Sequence, residues 1–424
     1  MRVSQWRRWG SALLAFQMLL CNGMLLAADA GTNSIVEWNN ISLRTTKTGA
    51  PGTPAMRNTA MVHIAIHDAL NAISPRHKPY YFADTSNKDA STAAAIATAA
   101  HDVLTALYPN EQAKLAANLQ TSLQNAPDGA AKDAGIAVGK ASAQAVLQAR
   151  SNDRMNDKVT YSAEPTPGIW RPVPGDGLAP NGAARGPDNA PPLAPSWGKM
   201  VPMVLKSSDQ FRPGPPPSIT SDLYARDYQE LLEVGGAVST KRTQDQTDAA
   251  LFWRPTPDLL FNPLVQHFVV KKNFDAWDAA NAFALINAAM VDAIIACWDA
   301  KYTYNQWRPI TGIRNVPEGS SAAIKADAAW SPLLFTPPYP DYPGGHPTAT
   351  AAAARTMSAL FGNDPGQFSL TGSGGKVREF NSFDAFAEEV VNARVWGGVH
   401  WRTSDVVGAQ LGRTVADYIL ERRR

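Results

Sequence analysis

Cysteine is almost missing from this 424-residue chain, which has only Cys21 and Cys297. Cys21 falls in an N-terminal stretch that reads as a removable leader. Arg2, Arg7 and Arg8 form its positive end, residues 11–27 are mostly apolar, and Ala28-Asp29-Ala30 offers a small-x-small cleavage pattern. Gln17, Asn22 and Gly23 interrupt the apolar run, which is too short and broken for a membrane span. The expectation is a signal peptide over 1–30 and an exported protein, periplasmic or extracellular, without a stable membrane anchor. Cys297 is then alone, and no internal disulfide can form even in an oxidising compartment.

A surplus of charge is lacking too. Cleavage at 30 takes three arginines and one aspartate from 39 basic and 37 acidic side chains, leaving 36 of each. A neutral mature chain has no global electrostatic reason to bind nucleic acid or an anionic bilayer. Also absent are any convincing run of alternating strand residues, a serine-hydrolase elbow, a phosphate-binding P-loop and a dinucleotide glycine pattern.

What is present is helical periodicity. Alanine-rich amphipathic stretches near 55–74, 90–107, 111–125, 130–150, 221–237, 240–254, 273–300, 348–361, 383–396 and 405–421 predict an all-α fold. Between the two sets lies a segment of about 161–220 holding 14 of the 32 prolines, which cannot be regular helix. Trp170, Trp197 and Phe211 make it too apolar for a free linker, so it reads as an irregular strap packed over helices. The expected organisation of residues 31–424 is an N-terminal half over 31–160, the strap, and a C-terminal half over 221–424. A domain boundary within the strap is the alternative.

Basic residues and histidines in the last third have spacings suited to an oxyanion pocket. Phe283, Ile286, Met290, Ile294 and Cys297 share one helix face, and Lys301 continues that series. Arg394 continues Phe383, Phe386 and Val390 in the same way. Two cations on inward faces need either a shared anion or buried carboxylates, with Asp292 and Asp299 as candidate partners. A snorkelling lysine at a helix C-terminus is the bland alternative for Lys301. Arg308 precedes Pro309, which pushes its backbone out of the helical region and lets it present a planar fork. Gly344-Gly345-His346-Pro347 reads as a tight turn entering a helix, where free N–H groups and the dipole favour an anion. A helix cap is the other reading of His346. His400 follows Gly397-Gly398 in a short loop between helices, where a solvent-exposed histidine is the alternative. His63 and His67 lie one turn apart, but no third metal ligand is evident, and core packing is the simpler reading.

The set Lys301-x6-Arg308-Pro309, Pro343-Gly344-Gly345-His346 and Arg394-x5-His400 resembles the signature of the vanadium-dependent haloperoxidases and the related type-2 phosphatidic acid phosphatases. Residues 58–73, 208–217 and 296–309 are similar to the secreted bacterial haloperoxidase-like branch. The resemblance implies two packed four-helix bundles and a vanadate cofactor bound in the C-terminal half. His400 would be the vanadium ligand, and Lys301, Arg308, Arg394 and the Gly345 N–H would hold the oxygens. His346 would be the acid–base group toward hydrogen peroxide, and Lys301 would polarise the oxidant toward halide. The phosphatase alternative uses the same atoms on a phosphate ester, with His400 as nucleophile and His346 protonating the leaving group. A non-catalytic oxyanion-binding member is the third reading.

Three positions depart from the family pattern. Gly344 and Ala393 stand where serines are expected, and Asp405 comes one residue late after His400, with Ser404 in the expected place. Losing one neutral hydrogen bond costs oxyanion binding about 0.5–1.5 kcal/mol. The displaced aspartate favours the haloperoxidase over the phosphatase.

Overall fold

The computed structural model describes residues 30–49, 53–177 and 187–423; the expected leader lies outside these, apart from Ala30. The described residues form thirteen α-helices and one short hairpin, as expected for an all-α fold. The hairpin, β1 (Phe368–Thr371) paired antiparallel with β2 (Val377–Phe380), is a departure from the strand-free expectation. Its strands are four residues each, too short to show a period in sequence.

Two compact units are present. Among the described residues, one takes 30–49, 61–147 and 262–284; the other takes 53–60, 148–177, 187–261 and 285–423. The first contains α1 (Ala30–Gly49), which the apolar pattern does not predict. Its buried residues mix apolar Ile35, Val36, Trp38 and Ile41 with polar Thr32, Asn39, Ser42 and Thr46. α2 (Thr53–Ile73), α3 (Thr92–Leu107), α4 (Gln112–Gln124) and α5 (Ala130–Ala149) follow the expected amphipathic stretches. Ser91 caps α3 by accepting from the Ala94 N–H at 3.3 Å. The Ser142 hydroxyl donates to the Ala65 carbonyl at 2.8 Å, fixing α5 to α2.

His63 and His67 also lie in this unit, both fully buried. His63 stacks on Phe283 with ring centroids 4.5 Å apart, and its Nε2 lies 3.0 Å from Asn39 Oδ1. Burial lowers its pKa to about 3. His67 Nδ1 lies 2.9 Å from Asp68 Oδ1, while the Asp68 carboxylate accepts the backbone N–H groups of Tyr80, Tyr81 and Phe82. Both histidines are packing groups.

The second unit holds α6 (Asp222–Val234), α7 (Gln244–Phe252), α10 (Pro309–Arg314), α11 (Gly345–Phe361), the hairpin, α12 (Phe383–Trp396) and α13 (Arg402–Arg423). α8 (Pro257–Lys271) carries Pro263 internally, which hides it from a pattern reading. α9 (Ala276–Tyr304) is apolar and long enough to cross a membrane, yet its apolar window is wholly buried in protein. It is a core helix. α13 lies against α11 so closely that a Cβ on Gly408 or Gly412 would overlap the carbonyls of Gly344 or Thr348. This contact brings the start of α13 to the turn entering α11.

The proline-rich segment is irregular throughout its described part, with one short 3-10 turn at Trp197–Lys199. Trp170 and Trp197 are buried. Asp292 of α9 is also buried, and its carboxylate accepts the N–H groups of Met203, Val204 and Leu205 at 2.6, 2.8 and 2.9 Å. Arg212 forks onto Asp299, with Nε–Oδ2 2.6 Å and Nη2–Oδ1 2.9 Å. The two carboxylates considered as partners for buried cations therefore serve the strap instead.

Candidate active site

Hydrophobic neighbours hold the site residues in place. Trp307, Val395 and Trp401 share one apolar cluster with Tyr224, Tyr228, Leu231, Ile310 and Ile313. Each of those three precedes or follows a residue singled out in sequence: Arg308, Arg394 and His400. The Trp401 indole N–H donates to the Trp307 carbonyl at 3.0 Å, tying the His400 loop to the Arg308 segment. Burial of these rings fixes backbones that would otherwise be loop.

Lys301 lies in the last turn of α9 and is completely buried, so it does not snorkel. Its Nζ donates to the carbonyls of Pro340 at 3.0 Å and Asp341 at 2.7 Å, and lies 5.0 Å from the Tyr339 ring centre. Burial lowers its pKa to about 8. Arg308 caps α10 with extended backbone, as its place before proline requires. Its Nε donates to the Tyr339 carbonyl at 2.8 Å and Nη1 to the Val399 carbonyl at 2.7 Å, while Nη2 is buried without a partner. The guanidinium lies 4.6 Å above the Tyr339 ring. Arg394 on α12 is also buried, and its Nε has no partner.

His346 is the second residue of α11, which begins at Gly345, three residues earlier than the pattern suggests. The backbone carbonyls of Arg254 and Pro255 face its imidazole, whose Nε2 is buried and unpartnered. Burial first, then the charges of Arg394 and His400, hold its pKa well below the ordinary histidine value. His400 is fully buried rather than exposed in its loop. Burial, Arg308, Lys301 and Arg394 depress its pKa in that order. Both imidazoles are thus neutral, one suited to donate a lone pair and the other to take a proton.

One residue at the centre of this cluster has no sequence signal. Asp341, fully buried, places Oδ1 at 2.9 Å from His400 Nδ1 and 3.4 Å from Arg308 Nη1. Its carbonyl accepts the Lys301 ammonium and, at 3.0 Å, the Ser404 hydroxyl. Burial raises its pKa to about 6 against the pull of Arg308 and Lys301. Asp405 is buried with neither carboxyl oxygen hydrogen-bonded, and its Oδ1 lies 3.9 Å from His400 Nδ1. Burial and then Asp341 raise its pKa well above the carboxylate range. A Cβ on Gly344 would overlap Asp405 Oδ1. The glycine at 344 and the aspartate at 405 are therefore one arrangement, in which a carboxyl fills the side-chain space of residue 344.

The charge balance favours an anion. Three buried cations, Lys301, Arg308 and Arg394, face two buried carboxyl groups, Asp341 and Asp405, whose pKa values burial raises, so positive charge predominates in the cluster. Uncompensated buried charge is costly. Arg308 Nη2, Arg394 Nε and His346 Nε2 are buried donors or acceptors awaiting partners, as a bound tetrahedral oxyanion requires. The Gly345 N–H, at the first position of α11, has no intrahelical acceptor. This inventory fits vanadate or phosphate.

Comparison with known proteins points the same way. Residues 281–424, which contain the whole cluster, match the family described as the VCPO second helical-bundle domain. The vanadium chloroperoxidase of Curvularia inaequalis is 28% identical over 416 residues, covering 78% of this chain and 66% of that protein. The chain thus spans just under two thirds of that relative's length. The solved structure of a bacterial vanadium-dependent iodoperoxidase superposes with a TM-score of 0.75 at 24% identity, over 93% of this chain and 95% of that one. A holo-type bacterial vanadium-dependent chloroperoxidase gives 0.68 at 19% identity, over 87% and 91%. These two likenesses establish the fold. The resemblance to the vanadium haloperoxidases seen in sequence is borne out.

Proposed function

We propose, from the premise that residues 281–424 fold as a VCPO second helical-bundle domain, that this protein is a vanadate-dependent haloperoxidase that oxidises halide with hydrogen peroxide. One observation carries the reading: buried, unpartnered Arg308 Nη2, Arg394 Nε and His346 Nε2 belong to one cluster with Lys301 and neutral His400. The relatives named above support it. His400 would hold vanadium, while Lys301, Arg308, Arg394 and the Gly345 N–H would hold the oxygens. Bound vanadate would supply the Lewis-acidic centre at which hydrogen peroxide is activated.

The chain's own residues do the remainder. His346, kept neutral by burial, accepts a proton from hydrogen peroxide at Nε2 and returns it to the departing water. The Lys301 ammonium, anchored to two carbonyls, keeps fixed positive charge beside the oxidant as halide attacks. The net reaction converts hydrogen peroxide, halide and one proton taken from solvent into hypohalous acid and water. Export, expected from the leader at 1–30, is part of the proposal.

A second reading, phosphoryl transfer, is favoured by one observation. A phosphatase needs a carboxylate to orient its nucleophilic histidine, and Asp341 supplies one at 2.9 Å although the aspartate after His400 is displaced. The sequence argument against phosphatase chemistry therefore loses its force. Purified protein given orthovanadate, hydrogen peroxide and bromide or iodide should halogenate an indicator in a vanadate-dependent way. Hydrolysis of an aryl phosphate without halogenation would reverse the order of the two. Anion-dependent thermal stabilisation with neither reaction would leave a non-catalytic oxyanion-binding protein.

A further inference from the structure

We propose that the phenol hydroxyl of Tyr339 is a further anion-binding donor of this site, supplying the hydrogen bond that Gly344 cannot. This inference rests on the reading of the cluster as an oxyanion site, but not on which reaction occurs there.

The ring of Tyr339 is seated among the cations. It is 6% exposed, with the Arg308 guanidinium 4.6 Å and Lys301 Nζ 5.0 Å from its centre and the Trp298 ring 5.0 Å away. Its backbone is tied down as well. The carbonyl accepts Arg308 Nε at 2.8 Å, and the N–H donates to the Pro337 carbonyl at 2.9 Å. The side chain cannot leave without losing contacts to two of the three cations. Burial lowers the Arg394 pKa, and the strongest opposing influence is Tyr339, whose polar end therefore lies toward the third cation.

Other hydroxyls around the turn are already used. Ser404 Oγ donates to the Asp341 carbonyl at 3.0 Å, Thr348 Oγ1 to the Gly344 carbonyl at 2.7 Å and Tyr342 Oη to the Gly214 carbonyl at 2.7 Å. Gly344 has no hydroxyl, and the Asp405 carboxyl occupies the space where one would stand. Among the described residues nothing hydrogen-bonds to the Tyr339 hydroxyl. A phenol O–H held among three cations lacks only an acceptor, and a multiply charged oxyanion brings several. The ring thus seats the cations with its face and meets the anion with its hydroxyl.

The test is calorimetric titration of the full chain and its variants with tungstate. Tyr339→Phe keeps the ring beside Arg308 and Lys301 and removes only the hydroxyl. Its affinity should fall about 3- to 30-fold, the range of a net hydrogen bond to an anion. Tyr302→Phe, whose hydroxyl is spent on the Leu193 carbonyl at 2.7 Å, should bind like the parent. Carbon-13 NMR of the protein labelled at tyrosine Cζ adds a readout that packing alone would not move. The Tyr339 resonance, identified by its loss in Tyr339→Phe, should shift downfield on tungstate addition as the phenol donates. Parent affinity in Tyr339→Phe, an equal loss in Tyr302→Phe, or a Tyr339 resonance unmoved at saturating tungstate would overturn the proposal. No tungstate binding by the parent would instead refute the oxyanion site itself, and the proposal with it. Neither readout requires halogenation or phosphatase activity.

Discussion

Asp405 places its carboxyl where a side chain on Gly344 would have to go. Two departures from a family pattern, separated by sixty residues in sequence, are thus one packing solution. Gly344→Ser should destabilise the protein by about 1–3 kcal/mol, as overpacking of a closed site does. Adding Asp405→Ala should recover most of that loss, because the overlapping oxygen is removed. Urea denaturation of the two single variants and the double variant measures the coupling; simple additivity would show that the two side chains do not compete for space.

The site should lose affinity for anions in alkali. Burial brings the Lys301 ammonium down to about 8, so a rise through that pH removes one of three positive charges. Binding of tungstate, whose charge is constant in this range, should weaken by up to about tenfold per unit above pH 8. Lys301→Met should be weaker throughout and should lack this break. Calorimetry at several pH values gives the profile, and a break retained in Lys301→Met would assign it elsewhere.

His63 makes a separate prediction about stability. Its folded pKa is depressed to about 3, so from the ordinary histidine value down to pH 3 the unfolded chain binds a proton that the folded chain refuses. Unfolding free energy therefore falls as pH falls, by about 1.4 kcal/mol per unit for this group. His63→Gln retains a polar partner for Asn39 and cannot titrate. Its stability should decline less steeply between pH 6.5 and 4.5 in urea unfolding; parallel slopes would contradict the assignment.

The strap has its own weak point at Asp292. Asp292→Ala would strand the buried N–H groups of Met203 and Leu205, at about 1–3 kcal/mol for each donor left unsatisfied. Limited proteolysis should then cut within 200–215 faster than in the parent protein. Unchanged cutting would mean the segment is held by its aromatic and proline packing alone.

Much of this was legible in sequence because it obeys a spacing. Lys301 and Arg394 continue apolar stripes, and the glycine–proline punctuation around His346 marks a helix entrance. Their burial at one cluster follows from those patterns together with the apolar neighbours Trp307, Val395 and Trp401. Asp341 was not legible, because its role depends on a contact spanning 59 residues with no periodic or local signal. The interplay of Gly344 with Asp405 was hidden for the same reason: each looks like a lost group until the other is placed beside it. α1 escaped detection because buried threonine, asparagine and serine interrupt its apolar Ile35, Trp38 and Ile41, and α8 because a proline interrupts it.

The most direct test of the account is equilibrium dialysis of orthovanadate against the purified full chain and its His400→Ala variant. The parent should bind close to one vanadate per chain tightly, and the variant should bind only weakly while remaining folded by circular dichroism. Equal affinity in the two proteins, or no saturable binding to the parent, would contradict it.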